Sequence, residues 1–410
     1  MDKKRPELLV PAGSLEVLKT AVIFGADAVY IGGEAFGLRA SAKNFTSGEM
    51  AEGIAFAHAH GCRVYVTANI FAHNEDLSKI RTYFQELRQI HPDALIISDP
   101  GVFLIAREVC PEIDVHISTQ ANNTNYETYR FWHQLGAVRV VSARELSLRE
   151  LTVIREKIPA EMEIETFVHG AMCISYSGRC LISSFLTGRD ANRGACTHPC
   201  RWNYALMEET RPGEFFPVEE TARGTYLYNS KDLCMIEHIP ELIGAGIDSF
   251  KIEGRMKTAL YVAVVARTYR KAIDAYLTSE EEYQKLLPWC KEQISHCTYR
   301  PFSTGFFFGK PDENGQIYGE STYHTEYIYL GSVQMTDANG YIRLEQKNKF
   351  SVGDVIEIMK PTGENVTAAV MEMKDENGQP MMSCPHARQI FWIRLDQASE
   401  PYDILRKKAD

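Results

Sequence analysis

The feature that most constrains this chain is an alternation. From residue 1 to about residue 260, short β-branched, apolar runs are each followed by a longer stretch of helical periodicity. The runs are Glu7–Gly13 (ELLVPAG), Asp27–Gly32 (DAVYIG), Arg63–Ile70 (RVYVTANI) and Ala94–Asp99 (ALIISD), then Asp114–Thr119 (DVHIST), Val138–Ser142 (VRVVS), Glu163–His169 (EIETFVH) and Ser249–Glu253 (SFKIE). Ser14 caps the first helical stretch, and Thr46 with Glu49 three residues on forms a capping box. Further helical patterns cover Leu77–Ile90, Val102–Val109, Tyr126–Leu135, Leu148–Lys157 and Met235–Ile243, and another begins at Thr258. Continuous apolar strands separated by helices imply a parallel sheet covered on both faces. Eight such units in roughly 250 residues match a TIM-like (β/α)8 barrel. The competing fold is an open doubly wound sheet. No G-x-G-x-x-G follows the first run, so a dinucleotide fold lacks its usual support. The pattern predicts a barrel over residues 1–278.

A barrel of this kind carries its active groups at the C-terminal ends of its strands. The residues that fall there are polar, rich in amides and cations: Arg39, Asn44, Asn69, His116, Gln120, Asn123, Arg144, Glu253, Arg255 and Lys257. Singly, each is what any strand end shows to water. Together they predict a pocket for a small anionic ligand, with Arg255 and Lys257 after the eighth strand, where barrels often hold an anion.

Between residues 170 and 234 the alternation breaks, and an insertion over the barrel mouth is expected. Three short runs, Trp202–Met207, Phe215–Val218 and Thr225–Tyr228, alternate like antiparallel strands. The insertion is the part of the chain densest in reactive side chains. Cys173, Cys180, Cys196 and Cys200 are spaced C-x6-C-x15-C-x3-C, and Cys234 follows thirty-three residues later. Structural zinc usually takes paired C-x2–4-C knuckles, and only Cys196 and Cys200 resemble one. An iron–sulfur cluster tolerates more varied spacing, so it is the first expectation and zinc the second. Five thiols compete for four places. We take Cys173, Cys180, Cys196 and Cys234 as the ligands, with Cys200 as the alternate. Arg179, Arg189 and Arg193 would either balance a cluster's charge or be solvated loop cations. The other cysteines, Cys62, Cys110, Cys290, Cys297 and Cys384, stand among apolar residues and read as buried small hydrophobes.

Residues 279–326 read as a polar helical linker region containing Trp289. From Tyr327 to the end, short strands are separated by turns such as Asn339-Gly340 and Asn377-Gly378, which suggests a small β-barrel domain without a catalytic constellation. A formal charge of −10 argues against loose wrapping of nucleic acid, while leaving room for a local basic site for one structured RNA. The N-terminal residues lack the apolar run of a signal peptide and no segment approaches the roughly 20 apolar residues of a membrane span, so a cytoplasmic protein is expected. In that compartment ten cysteines are not a disulfide framework.

For proteolysis, the chain has neither a G-x-S-x-G elbow nor an H-E-x-x-H helix. A nucleophile pair of Cys173 with His169 is conceivable, but a thiolate committed to a cluster cannot also attack. The candidate catalytic groups are His169, Tyr176 and Glu253.

The run Glu165–Ser184 (ETFVHGAMCISYSGRCLISS) closely resembles the signature of the collagenase-like U-32 peptidase family. So do ELLVPAG, HISTQANNTN, SARELSL, GRDANRGAC, YNSKDLC, KIEGRMK and RPFSTGFFFG, and the likeness spans roughly Glu7 to Gly309. The family's first label is a protease acting on collagen. Other members look like hydroxylation factors for tRNA, ribosomal RNA or ubiquinone precursors. The resemblance implies an oxygen-sensitive iron–sulfur cluster, 4Fe-4S in type, on Cys173, Cys180, Cys196 and Cys234. The architecture is most similar to the tRNA branch, which implies tRNA as partner, 5-hydroxyuridine at the wobble position as product, and the dianion prephenate as hydroxyl source. Two other outcomes stay open: a peptidase, and a non-catalytic RNA-binding or assembly factor using the C-terminal domain.

Overall fold

The computed structural model describes residues 4–34, 36–37, 44–173, 175–202, 205–207, 215–217, 229–311, 316–317 and 323–409. Eight parallel strands close into a barrel: β1 (Glu7–Pro11), β2 (Ala28–Gly32), β3 (Arg63–Ala68), β4 (Ala94–Ile97), β5 (Asp114–Ile117), β6 (Arg139–Val141), β7 (Glu163–Ala171) and β8 (Ser249–Ile252). They pair in chain order, and β8 closes the ring by pairing with both β7 and β1. Helices return the chain on the outside, and their starts follow local chemistry. Ser14, Asp99, Asn125 and Thr258 each accept a first-turn amide, and Thr46 and Ser147 form capping boxes with Glu49 and Glu150.

One irregularity re-aims a strand. Between β7 and β8 the register shifts, so that Lys251 faces Phe167 but Ile252 faces His169. Val168 is thus the extra residue of a bulge. Next to it Gly170 has φ +106°, and a Cβ there would meet the Glu253 carbonyl oxygen at 2.4 Å. Only glycine fits this crossing of β7 over the end of β8.

The interior below the mouth is charged and hydrogen-bonded. Arg139 Nη1 lies 2.5 Å from Glu7 Oε1 and 3.0 Å from Glu165 Oε2. Lys251 Nζ donates to Glu165 Oε1 at 2.7 Å, Tyr65 donates to Glu7 at 2.7 Å, and Ser249 donates to Glu7 at 3.0 Å. Each buried charge has an opposite partner, the condition under which such a network is tolerated.

Of the stretch 279–326, expected as a linker, the described residues Glu280–Ser295 and Phe302–Ser303 pack into the barrel unit. Glu280–Ser295 is a helix packed along the helix Ala259–Thr278 that follows β8, with Tyr283 and Cys290 buried between. Phe302–Ser303 pairs with the short strand Asp232–Cys234, which in turn runs antiparallel to the end of β7. Trp289 lies against the side chains of Arg267 and Lys271. In the insertion, Ala205–Met207 and Phe215–Pro217 form the expected antiparallel pair, while Thr225–Tyr228 lies outside the described residues.

The C-terminal domain is a seven-stranded antiparallel sheet built from Tyr327–Ser332, Met335–Thr336, Ile342–Glu345, Val355–Met359, Val366–Asp375, Ile390–Leu395 and Ile404–Lys408. It curls until Lys347 N–H donates to the Leu330 carbonyl at 3.1 Å, around its own apolar core. It is tied to the barrel by Arg267, which donates to Lys360 O and Asn365 Oδ1 at 2.7 Å each, and by Tyr329, which donates to Glu16 at 2.8 Å. Among the described residues no helix is long and apolar enough to cross a membrane.

Candidate active site

The C-terminal ends of the strands and the insertion enclose a cavity of about 170 Å³, several times the roughly 30 Å³ share of one water. The strands contribute Tyr30, Thr67, Asn69, Ile96, Ser118, Gln120, Arg144, Phe167, Lys251, Glu253 and Arg255. The insertion contributes Cys173, Tyr176, Cys180, Cys196, His198 and Cys200. It crosses the mouth as a lid.

The lid is fastened by side chains of the strand-end loops. Asn122 donates to the Ser177 carbonyl at 2.7 Å and accepts from Arg179 Nε at 2.8 Å. Phe71 N–H donates to Asn192 O at 3.2 Å, and Arg193 reaches Asp76 at 3.3 Å. Gly178, at φ +74°, allows the lid to lie against Phe71 and Gln120, which a Cβ would strike at 2.6 and 2.7 Å. Inside the lid, Asn192 Nδ2 donates to Cys180 O at 3.2 Å, and His198 N–H donates to Cys196 Sγ at 3.4 Å. Hydrogen bonds of this kind hold a sulfur in the orientation a metal or cluster ligand needs.

Among the described residues, three cations reach the cavity against one carboxylate. Lys251 stands on the buried Glu165, its Nζ 4.5 Å from the Tyr30 ring centre. Arg255 is buried and donates to Thr67 Oγ1 at 2.9 Å. Arg144 donates to the Ala171 carbonyl at 3.1 Å, lies 4.0 Å above the Phe167 ring and stands 3.6 Å from Glu253. The surplus of positive charge suits an anion.

Of the expected site residues, Asn69, Gln120, Arg144, Tyr176, Glu253, Arg255, Cys173, Cys180 and Cys196 line this cavity, and so does the alternate thiol Cys200. Six stand elsewhere. His169, turned by the bulge, packs among Tyr261, Tyr269 and Phe302, with Nδ1 3.4 Å from Tyr269 Oη, and burial lowers its pKa to about 4. It makes no pair with Cys173. Cys234 lies opposite His169 on the neighbouring strand, with Sγ 3.9 Å from Tyr269 Oη and its pKa pushed up to about 11 by burial. His116 is inside the barrel beneath the cavity, edge-on to Tyr65. Its pKa is held well below the usual imidazole range, first by burial and then by Arg139 and Lys251. Asn123 is buried, accepting from Trp132 Nε1 at 3.0 Å. Lys257 donates to the Thr298 carbonyl at 3.3 Å, and Asn44 is half-buried at the loop before the second helix. Arg39 lies outside the described residues. Lys251 is the principal residue that sequence reasoning passed over. The signal was a lysine set between Phe250 and Ile252 in a strand that is otherwise buried throughout.

A closed parallel barrel with a polar cavity at its C-terminal mouth defines the layout of a (β/α)8 enzyme. More narrowly, this chain belongs to peptidase family U32: that family's model matches residues 13–317, and the model of the peptidase family U32 C-terminal domain matches residues 325–406. It is 42% identical over 405 residues to the tRNA hydroxylation protein P1 of Bacillus subtilis (strain 168), covering 98% of this chain and 95% of that one. It is 37% identical to the tRNA hydroxylation protein P of Escherichia coli (strain K12), covering 97% and 95%. A third relative, the 23S rRNA 5-hydroxycytidine C2501 synthase of Escherichia coli (strain K12), is 38% identical over 273 residues, 67% of this chain and 40% of the relative.

Proposed function

We propose that this chain is an RNA hydroxylase that converts a tRNA wobble uridine to 5-hydroxyuridine with a small dianion of the prephenate type as hydroxyl donor. The observation that carries the reading is the meeting of four thiols, Cys173, Cys180, Cys196 and Cys200, with Lys251, Arg144 and Arg255 in one cavity. The names of the relatives supply the reaction class.

Soft thiolates suit an iron–sulfur cluster or zinc. A single zinc ion needs its ligands at about 2.3 Å from one point, and among the described residues no three metal-binding side chains converge in that way. A cluster takes its thiolates on separate irons, which fits thiols spread around a cavity. Cys173, Cys180 and Cys196 would hold it. Cys200 offers the fourth thiol from within the cavity, while the family resemblance assigns that place to Cys234. When bound, the cluster supplies one-electron redox chemistry. The chain's own residues bind and orient: Lys251, Arg144 and Arg255 hold the carboxylates of the donor, the lid excludes water, and Glu253 fixes Arg144. A cytoplasmic location accords with this chemistry.

Protein purified without oxygen is expected to carry iron and sulfide, and Cys180→Ala to lose both, together with 5-hydroxyuridine in tRNA read by nucleoside mass spectrometry. Zinc alone, or product formation undiminished in Cys180→Ala, sinks the reading. Iron content of Cys200→Ala against Cys234→Ala decides the fourth ligand. The peptidase alternative has less support, because His169 and Cys173 form no pair.

A further inference from the structure

The most exposed large apolar side chain among the described residues is on the lid. Phe185 is 88% exposed, its neighbour Leu181 69% and Leu186 45%. These belong to the short helix Ile182–Thr187 and its first flank. The helix is not free to roll them inward. Ser183 is fully buried, accepting from Thr197 N–H at 3.1 Å, and Thr187 Oγ1 donates to the Ser183 carbonyl at 2.7 Å. The same helix begins at Ile182, which lines the cavity beside Cys180. The apolar patch therefore sits at the rim of the site, one turn from its lining.

The segment that carries it is basic. Residues 172–202 contain Arg179, Arg189, Arg193 and Arg201 against the single acid Asp190, in a chain whose formal charge is −10. Arg193 is turned onto Glu75 and Asp76, but Arg179 and Arg189 are exposed on the lid. An exposed aromatic ring on the same lid as exposed guanidinium groups is a combination that receives unstacked bases and their phosphates. On a protein of net negative charge, such a basic segment also attracts a polyanion.

We propose that this rim is the RNA-docking surface of the enzyme, with Phe185 as a stacking platform for a base of a single-stranded loop and Arg189 as a phosphate contact. The proposal rests on the RNA-hydroxylase reading and specifies where that substrate is gripped. A loop held there places the nucleotide adjoining the stacked base over the cavity mouth. The surface recognises an unpaired loop and has no use for a continuous duplex, whose bases have no free face to stack.

The test uses the full, cluster-bearing chain and a fluorescein-labelled anticodon stem-loop, read by anisotropy. Phe185→Ala is expected to weaken binding about tenfold, the range of one lost base–aromatic stack. Arg189→Ala is expected to make the slope of log affinity against log salt shallower by about 0.7, one phosphate contact to a single strand. Leu104→Ala, which removes another exposed apolar side chain on the helix Pro100–Val109, serves as the control and leaves affinity unchanged. If both lid variants bind like the parent protein while the parent hydroxylates tRNA, the docking surface is wrong and the enzymatic reading survives. If the parent neither binds the stem-loop nor forms 5-hydroxyuridine, the enzymatic reading falls and takes this surface with it. If Phe185→Ala binds RNA normally but sediments as a smaller species, the patch is a self-association face, which also overturns the proposal.

Discussion

The floor and the mouth of the barrel use the same residue types to opposite ends. On the floor, Glu7, Glu165, Arg139 and Lys251 neutralise one another within hydrogen-bond distance. At the mouth, the described lining of the cavity holds Arg144, Arg255 and Lys251 with one carboxylate, Glu253. Balanced charge in a low-dielectric interior is structural, and removing one member strands the others. Unbalanced charge beside a cavity is an affinity waiting for a ligand. Lys251 belongs to both regions: its ammonium rests on Glu165 and borders the cavity. The floor thus fixes the position of a cation that the mouth uses.

That contrast is open to attack. The largest expected effect is on the floor. Arg139→Met leaves Glu7 and Glu165 short of a partner and should lower unfolding stability by about 3–5 kcal/mol, measured by urea denaturation. A loss below about 1 kcal/mol would show the floor to be dispensable.

Next comes acid. The pKa of His296 is lowered to about 4, mainly by burial and then by Arg406 and Arg267, and that of His116 is lowered in the same direction. Between pH 6.5 and 4 the unfolded chain takes protons that these folded imidazoles refuse, so stability falls as pH falls through that window. Glu7, where burial raises the pKa but Arg139, Arg63 and Tyr65 together outweigh it and lower it overall, adds a loss below pH 4.5 with the same sign. For His296 alone the effect is on the order of 2–3 kcal/mol by pH 4. Unfolding midpoints that stay flat from pH 7 to 4 contradict it.

At the mouth, Arg144→Gln should leave the unfolding midpoint within about 1 kcal/mol of the parent yet reduce 5-hydroxyuridine formation about tenfold or more, with the effect in the apparent affinity for the anionic donor. Comparable losses of stability and product would erase the distinction between the two ends. The smallest effect is remote from both. Ser147→Ala removes a cap hydrogen bond from the helix Leu148–Lys157 and should cost about 1 kcal/mol without altering product.

Much of this was legible in the sequence. The period of the apolar runs located all eight strands, because strands buried on both faces leave an unbroken apolar record. Which face a strand-end residue meets was harder to read. Alternation along β7 carries Glu165 and Phe167 inward and implies the same for His169, but the bulge at Val168 reverses it. His116 does point inward, one layer too deep to line the cavity. Register and bulges arise from pairing with a distant strand and leave no local mark. The lid's thiols were visible from composition, whereas the ranking of Cys234 above Cys200 came from position along the chain, and side-chain direction favours the reverse order within the cavity. The helix Glu280–Ser295 was read as linker because its polar face dominates its composition, while its few apolar residues suffice to dock it.

The lid leaves the barrel at Ala171 and returns through Asp232–Cys234, which pairs antiparallel with the strand it left, Asp232 opposite Ala171 and Leu233 opposite Gly170. Arg300 locks that return with a buried ion pair to Asp232 at 2.7 Å. The excursion is therefore a bag drawn shut at its neck. Because closing a long loop costs only slightly more than closing a shorter one, whatever lies beyond the neck can lengthen, shorten or be exchanged while the eight-stranded frame stays as it is. A scaffold so arranged can change the substrate it accepts by rewriting the contents of one pouch.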